Sequence, residues 1–281
     1  MLPKIQDFKA KVSHLYDDRE SKNLYYRILE EILHCDTTTL LLHGDELMTD
    51  DKLSEYQQIV DKLSSGTPIQ HIFGYTIFHN NQFYVNSDVL IPRPETEELI
   101  NWILETSTNY QSILDIGTGS GCIAISLKKE LPNTSISAID VSEKALEIAK
   151  KNAQCNQTEI QFILDDILNP KSDYPQFSCI VSNPPYIRLS EKKDMHANVL
   201  GHDPHLALFV ADDDPLIFYR KIAEFGQSHL EENGYLFFEI NEYLANETMQ
   251  LLSDNQYVEI ELKQDINGKN RMIKCRKSNV K

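Results

Sequence analysis

Two short runs carry residue types that could do chemistry together. The first, Asp115-Ile116-Gly117-Thr118-Gly119-Ser120-Gly121, is a glycine loop. Glycines let backbone approach a ligand closely and leave N–H groups free to meet it. Asp140 stands 21 residues beyond Gly119, where a carboxylate accepts two hydrogen bonds from a ribose diol and repels a 2′-phosphate. The second run is Asn183-Pro184-Pro185-Tyr186. Its prolines fix φ at about −65° and remove two N–H donors, giving a stiff turn with outward carbonyls. Asn183 adds an acceptor oxygen and Tyr186 a flat face for stacking. A planar NH₂ group suits this turn. Its two N–H bonds go to the Asn183 side-chain oxygen and the Pro184 carbonyl, which aims its lone pair at an electrophile beside the glycine loop.

Taken singly, either run is only a turn. A dinucleotide fingerprint would want glycine where Cys122 stands, and a phosphate loop would want Gly-Lys-Ser/Thr. Nothing asks for a pyrophosphate. The glycine loop, Asp140 and their strand–helix setting together favour a nucleoside ligand.

The elements that position these runs follow from hydrophobic period. From residue 111 strands alternate with helices. The strands fall at 112–116, 135–139, 160–164, 177–181, 235–240, 257–262 and 272–275, with Ser142 capping a helix over 143–153 and another helix over 216–230. This predicts an α/β fold with a doubly wound, mostly parallel sheet, and the Asn267-Gly268 turn adds one antiparallel strand. Both runs then lie at the carboxyl ends of strands, where such sheets bind ligands. Ahead of them, Tyr75–Val85 reads as a hairpin about an Asn-Asn turn, and Thr96 is placed to cap a helix reaching Glu105. The first 65 residues read as a small helical bundle. One stripe is Leu24, Ile28, Leu29, Ile32 and Leu33; another is Leu53, Tyr56, Ile59, Val60 and Leu63, with Asp50 or Asp51 as cap and a polar break over His43–Asp50.

Composition narrows the class. Hydrophobic residues make up 41% and charged residues 25% of 281, as in globular proteins. No run approaches the roughly 20 apolar residues of a membrane span, and Met1–Asp18 lacks a signal peptide's apolar centre. Five scattered cysteines read as reduced thiols of a cytoplasmic protein. Cys122 and Cys179 read as packing residues. Twenty-seven basic against 43 acidic residues give a net charge of −16, which argues against a phosphate-backbone partner. His202, Asp203 and His205 read as a polar loop rather than a metal site, since no further ligand pattern accompanies them. Asp212-Asp213-Asp214-Pro215 is placed to precede and cap a helix.

The two chemical runs resemble class I S-adenosylmethionine-dependent methyltransferases acting on planar amino nitrogens. Thr67-Pro68-Ile69-Gln70-His71-Ile72-Phe73-Gly74 and Val89-Leu90-Ile91-Pro92-Arg93-Pro94-Glu95-Thr96-Glu97 narrow this to a resemblance to the peptide chain release factor N5-glutamine methyltransferases, over the whole chain. The chain departs from that family's usual pattern at His71 and at Asp203-Pro204. The resemblance implies S-adenosylmethionine as cofactor and the Gly-Gly-Gln glutamine of class 1 release factors as substrate. It implies a cofactor site of Gly117, Thr118, Gly119, Ser120, Gly121, Asp140 and Asn183, with Asp166 on the adenine amino group and Ile167 on the ring. It implies Asn183, Pro184 and Tyr186 as catalytic residues, and Pro185 with them against the substrate. The expected organisation is a helical recognition domain over 1–72, a hairpin connector over 73–91 and a methyltransferase domain over 92–281, in a monomer with no metal, no nucleic-acid binding and no membrane attachment. The alternatives are a nucleic-acid amino-group methylase, on adenine N6 or guanine N2, and an inactive nucleoside-binding adaptor.

Overall fold

The computed structural model describes residues 1–107, 109–194 and 204–279. The chain forms two compact units, Met1–Phe73 and a larger one beginning at Gly74. In the first, α1 is Ile5–Val12, α2 Asp18–Leu33, α3 Thr37–Leu47, α4 Asp50–Ser64 and α5 Ile69–Phe73. Side-chain caps start three of them: Asp17 accepts from the Glu20 N–H at 2.7 Å, Asp36 from Thr39 at 2.7 Å and Thr49 from Lys52 at 3.4 Å. The cap of α4 is thus Thr49, not Asp50 or Asp51, because Thr49 keeps extended backbone while both aspartates already lie in the first turn. There their charge meets the positive helix end. The expected polar break at His43–Asp50 shrinks to Met48-Thr49, since α3 runs on through Leu47. The α2 stripe packs with Tyr56, Ile59, Val60 and Leu63 of α4 around Phe8 and Val12.

The second unit opens with β1 (Tyr75–Phe78) and β2 (Asn81–Tyr84), an antiparallel pair. Its turn is His79-Asn80, one residue before the expected Asn-Asn. Both have positive φ, 46° and 59°, as a two-residue primed turn demands. Phe78 and Phe83 meet edge to face at 5.9 Å and are buried in the core of this unit.

The remaining elements are α6 (Pro94–Thr106), β3 (Ser112–Ile116), α7 (Cys122–Glu130), β4 (Ser135–Asp140), α8 (Glu143–Cys155), β5 (Gln161–Leu164), β6 (Phe177–Ser182), β7 (Ile187–Arg188), α9 (His205–Leu208), β8 (Phe209–Val210), α10 (Ile217–His229), β9 (Leu230–Glu239), α11 (Ala245–Asp254), β10 (Tyr257–Gln264) and β11 (Asn270–Lys277). Seven strands form one sheet in the order β10-β11-β9-β6-β3-β4-β5. The run from β9 to β5 is parallel, and β11 is antiparallel to both its neighbours. This is the expected doubly wound sheet with one reversed strand. Central strands covered on both faces read as continuous apolar runs, and two separate cores flank β3 and β6.

Three local expectations change. Arg93 precedes α6 with Pro94 as first helical residue, so Thr96 lies inside the first turn and is not the cap. A proline there has no N–H to satisfy. Asp212 and Asp214 do not cap α10: Asp214 grips Arg220 at 2.8 and 2.9 Å, and Asp212 accepts from Ser190. Strand β9 starts five residues earlier than Tyr235, since Leu230 already pairs with Phe177.

Candidate active site

Strand β3 lies between β4 and β6, so successive connections leave it in opposite directions and open a crevice at its carboxyl end. The glycine loop leaves β3 there, with φ of +74°, +55° and +81° at Gly117, Gly119 and Gly121. Added Cβ atoms at Gly117 and Gly119 would meet nothing within 4 Å. That open cradle is what a close ligand needs.

The loop's N–H groups, read from sequence as free, are largely used within the protein. Those of Gly117 and Thr118 donate to the Ile139 carbonyl at 2.9 and 3.0 Å, and that of Gly121 to Thr118 at 2.9 Å. The Gly119 N–H donates to Asp140 Oδ2 at 2.8 Å, while Asp140 Oδ1 accepts from Ser142 at 2.9 Å. A carboxylate has about four lone-pair sites, so Asp140 keeps acceptor capacity for a ligand beside its backbone donors. Burial raises the Asp140 pKa, against the backbone donors of Ser142, Gly119 and Val141.

Beneath the loop lies Asp115, fully buried. Its Oδ2 accepts from the Thr118 hydroxyl at 2.6 Å and the Ala124 N–H at 3.3 Å, while Oδ1 has no partner among the described residues. Burial pushes this carboxyl up to about 7 against those two hydrogen bonds, and Asp140 adds to the rise.

The crevice widens into a cleft of about 1140 Å³, counting the space open to solvent. It gathers Gly117, Thr118, Gly119, Ser120, Asp140, Asp166, Ile167, Asn183, Pro184 and Pro185. Two candidate residues lie outside its lining. Gly121 is packed away from it, so close to α8 that a Cβ would sit 3.2 Å from that of Ala149. Tyr186, expected to offer a stacking face, packs instead against the core under β9 and sends its hydroxyl to Glu239 Oε1 at 3.1 Å.

The Asn-Pro-Pro-Tyr turn is fastened from several sides. Ser182 donates to the Ile116 carbonyl at 2.7 Å, which joins the ends of β6 and β3. Asn183 Nδ2 donates to Thr96 Oγ1 at 3.4 Å, and Thr96 donates to Glu239 Oε2 at 2.7 Å. Asn241 Nδ2 donates to the Tyr186 carbonyl at 2.9 Å. Glu239 is 1% exposed. Burial raises its pKa, while the Thr96 hydroxyl, Arg271 and the Tyr186 hydroxyl pull the other way.

Several contributors were not singled out as functional from sequence. Arg93, Thr96, Leu206 and Phe218 line the cleft, although their chain neighbourhoods drew notice only as motif or helix. Glu239 carried a visible signal, an acid closing the apolar run Tyr235–Phe238. Asp165 gathers the N–H groups of Asp166, Lys171 and Ser172 and the Tyr174 hydroxyl. Burial opposes its charge, yet these donors bring its pKa down to about 2, and so it organises the loop that carries Asp166 and Ile167. Among the described residues no three His, Cys, Asp or Glu side chains gather as a metal set. His202 and Asp203 lie outside the described residues. No helix among the described residues is long and apolar enough to cross a membrane.

Comparison with known proteins accords with this geometry. A model of the methyltransferase small domain matches residues 95–203, and one of the PrmC N-terminal domain matches residues 14–74. A release factor glutamine methyltransferase of Flavobacterium psychrophilum is 47% identical over 272 residues, 95% of each chain. One of Bacteroides thetaiotaomicron is 40% identical over 266 residues, 94% of this chain and 96% of that protein. The solved methyltransferase of Pyrococcus furiosus has a similar fold, with a TM-score of 0.52 and 18% identity over 80% of this chain and 99% of that one.

Proposed function

Because the chain belongs to the release factor glutamine methyltransferases, we infer that it methylates the side-chain nitrogen of a glutamine in a release factor, with S-adenosylmethionine as donor. The observation that carries this reading is that Asn183 and Pro184, just beyond β6, line one cleft with an open glycine cradle and Asp140. The cofactor supplies an electrophilic methyl group on a sulfonium. Gly117–Ser120 would hold it by close backbone approach, Asp140 by its ribose hydroxyls, and Asp166 and Ile167 at the adenine.

Asn183 Oδ1 and the Pro184 carbonyl take the two hydrogens of the glutamine amide and turn its nitrogen toward the methyl. An amide is a poor nucleophile because its lone pair is delocalised. Holding it in attack geometry is therefore the main contribution, and positioning of this kind can be worth about 7–11 kcal/mol. With the cofactor bound, the nitrogen would bond to the methyl carbon as the carbon–sulfur bond breaks, S-adenosylhomocysteine would be the leaving group, and the surplus proton would pass to water. The reaction disperses an existing positive charge, so it requires no oxyanion hole.

The substrate is the Gly-Gly-Gln glutamine of class 1 release factors. The helical first unit contacts the release factor away from the reacting nitrogen, where remote binding energy is useful. The test is transfer from methyl-labelled S-adenosylmethionine in the presence of release factor or of duplex DNA. Label on the Gly-Gly-Gln glutamine is the expected result. Label on DNA would instead favour an amino-group methylase of nucleic acid, a reading that the net charge of −16 disfavours. A folded chain beginning at Gly74 should bind S-adenosylmethionine but methylate intact release factor poorly, with a smaller defect on a Gly-Gly-Gln peptide. Equal kcat/KM on intact release factor would remove the recognition role.

A further inference from the structure

We infer that Thr96 and Glu239 are positioning residues that decide which end of the Asn183 amide faces the substrate. The inference rests on Asn183 being the acceptor of the glutamine N–H bonds. A primary amide has nearly the same shape after a half-turn about its last torsion, with oxygen and NH₂ exchanged. Only one of these states serves the reaction. With Oδ1 toward the cleft, Asn183 accepts from the substrate; with Nδ2 there, two N–H groups oppose two N–H groups.

The choice is made at the cleft wall, by the direction of a hydrogen-bond chain that runs from Asn183 through Thr96 to the buried Glu239. Glu239 Oε2 acts here as an acceptor, and a threonine hydroxyl has one proton to give. That proton goes to Glu239 Oε2 at 2.7 Å. The oxygen lone pairs of Thr96 are then left to face Asn183, and only the NH₂ branch can satisfy them, at 3.4 Å. Covalent geometry puts Oδ1 on the opposite branch. The second oxygen of Glu239 takes the Tyr186 hydroxyl at 3.1 Å, so one carboxylate grips both ends of the four-residue turn. The groups facing it come from separate elements: Thr96 and Glu95 from α6, Tyr186 from the turn and Arg271 from β11. Burial disfavours its charge, whereas the two hydroxyls and Arg271 favour it. A buried carboxylate is a costly way to fill space, and here it gives the chain its direction.

The test compares two substitutions of nearly equal size. Thr96→Val removes the proton and the lone pairs but keeps the shape; Thr96→Ser keeps the hydroxyl. On intact release factor with saturating S-adenosylmethionine, Thr96→Val should lower kcat by about tenfold to a hundredfold, the scale of a misplaced reacting group. Its Kd for S-adenosylmethionine by calorimetry should stay within about threefold of wild type, because its effect is on aim. Thr96→Ser should restore most of kcat. If Thr96→Val turns over at the wild-type rate, or Thr96→Ser is as slow as Thr96→Val, the positioning role is overturned. Should Thr96→Val fail to fold because Glu239 is left unpaired, the double variant Thr96→Val/Glu239→Met removes both partners, which is tolerated better than removing one. It should show the same low kcat, and wild-type kcat there would overturn the proposal. Asn183→Ala in the same assay separates the two readings. If it stays active, the assignment of Asn183 itself fails; if it is dead while Thr96→Val is active, only the positioning role fails.

Discussion

The glycine loop after β3 and the Asn-Pro-Pro-Tyr turn after β6 leave neighbouring parallel strands side by side. Each is braced by a buried carboxylate through a threonine hydroxyl: Thr118 to Asp115 at 2.6 Å, and Thr96 to Glu239 at 2.7 Å. The difference is reach. The first pair is 3 residues apart in the chain and the second 143. The loop bends through positive-φ glycines and has its carboxylate brace close by in the chain, with further hydrogen bonds to β4, whereas the turn is stiffened by prolines and takes its support from α6 and β9. A segment that must curl round a cofactor can carry its own brace. One that must aim a single side chain draws rigidity from distant elements.

Substitutions at the two sites should therefore fail differently. The largest effect is expected for Asn183→Ala, a loss of at least about a hundredfold in kcat, the scale of a removed positioned group, with the fold intact by circular dichroism. A variant keeping more than about a tenth of wild-type kcat would contradict the division drawn here. Asp140→Ala should act on affinity instead. Losing a charge-assisted pair is worth roughly 1.5–3 kcal/mol, so S-adenosylmethionine should bind about ten- to a hundredfold more weakly in calorimetry.

Gly119→Ala and Gly121→Ala sharpen the contrast within the loop. Both put a side chain at positive φ, at a cost of about 1–2 kcal/mol. At Gly119 the new methyl enters open cleft, and about tenfold weaker cofactor binding is expected. At Gly121 it would press on Ile125 and Ala149 at 3.0 and 3.2 Å, and a lower Tm should dominate. The reverse pattern would return Gly121 to the cofactor site. The most gradual effect is a slope. Asp115 titrates at about 7 in the folded protein, above its unfolded value of about 3.9, so the native state holds the extra proton between those limits. Stability should fall as pH rises through that window, by at most about 1.4 kcal/mol per unit, and Asp115→Asn should flatten the curve. Urea unfolding of both proteins across the window checks this.

What could be read from sequence follows the same division. Strand β3 and the Ser142 cap were legible because each is a signal among neighbours, an apolar run or a hydroxyl before a helix. The alternation of elements gave the parallel sheet. Less legible was the His79-Asn80 turn, which lacks the usual Asn-Gly signature. Helix α11 escaped notice because its buried stripe, Ala245, Thr248, Leu251 and Leu252, holds only two large apolar residues. The pairing of Thr96 with Glu239 was out of reach altogether. Their meeting depends on α6 packing on β9, which exists only in the folded chain.

Asn152, on α8, is fully buried and serves three main-chain groups. Its Oδ1 accepts the Tyr84 N–H at 2.7 Å, and its Nδ2 donates to the Tyr84 carbonyl at 3.0 Å and the Ser120 carbonyl at 2.8 Å. One amide thus stands in for a strand rung along β2 while holding the last residue before Gly121. If either partner detaches, a buried N–H or carbonyl of the Asn152 amide loses its hydrogen bond. The hairpin and the glycine loop then open as one cooperative element. In hydrogen exchange, S-adenosylmethionine should slow the Tyr84 amide, remote in sequence from the cradle, by the same factor as the amides of the loop.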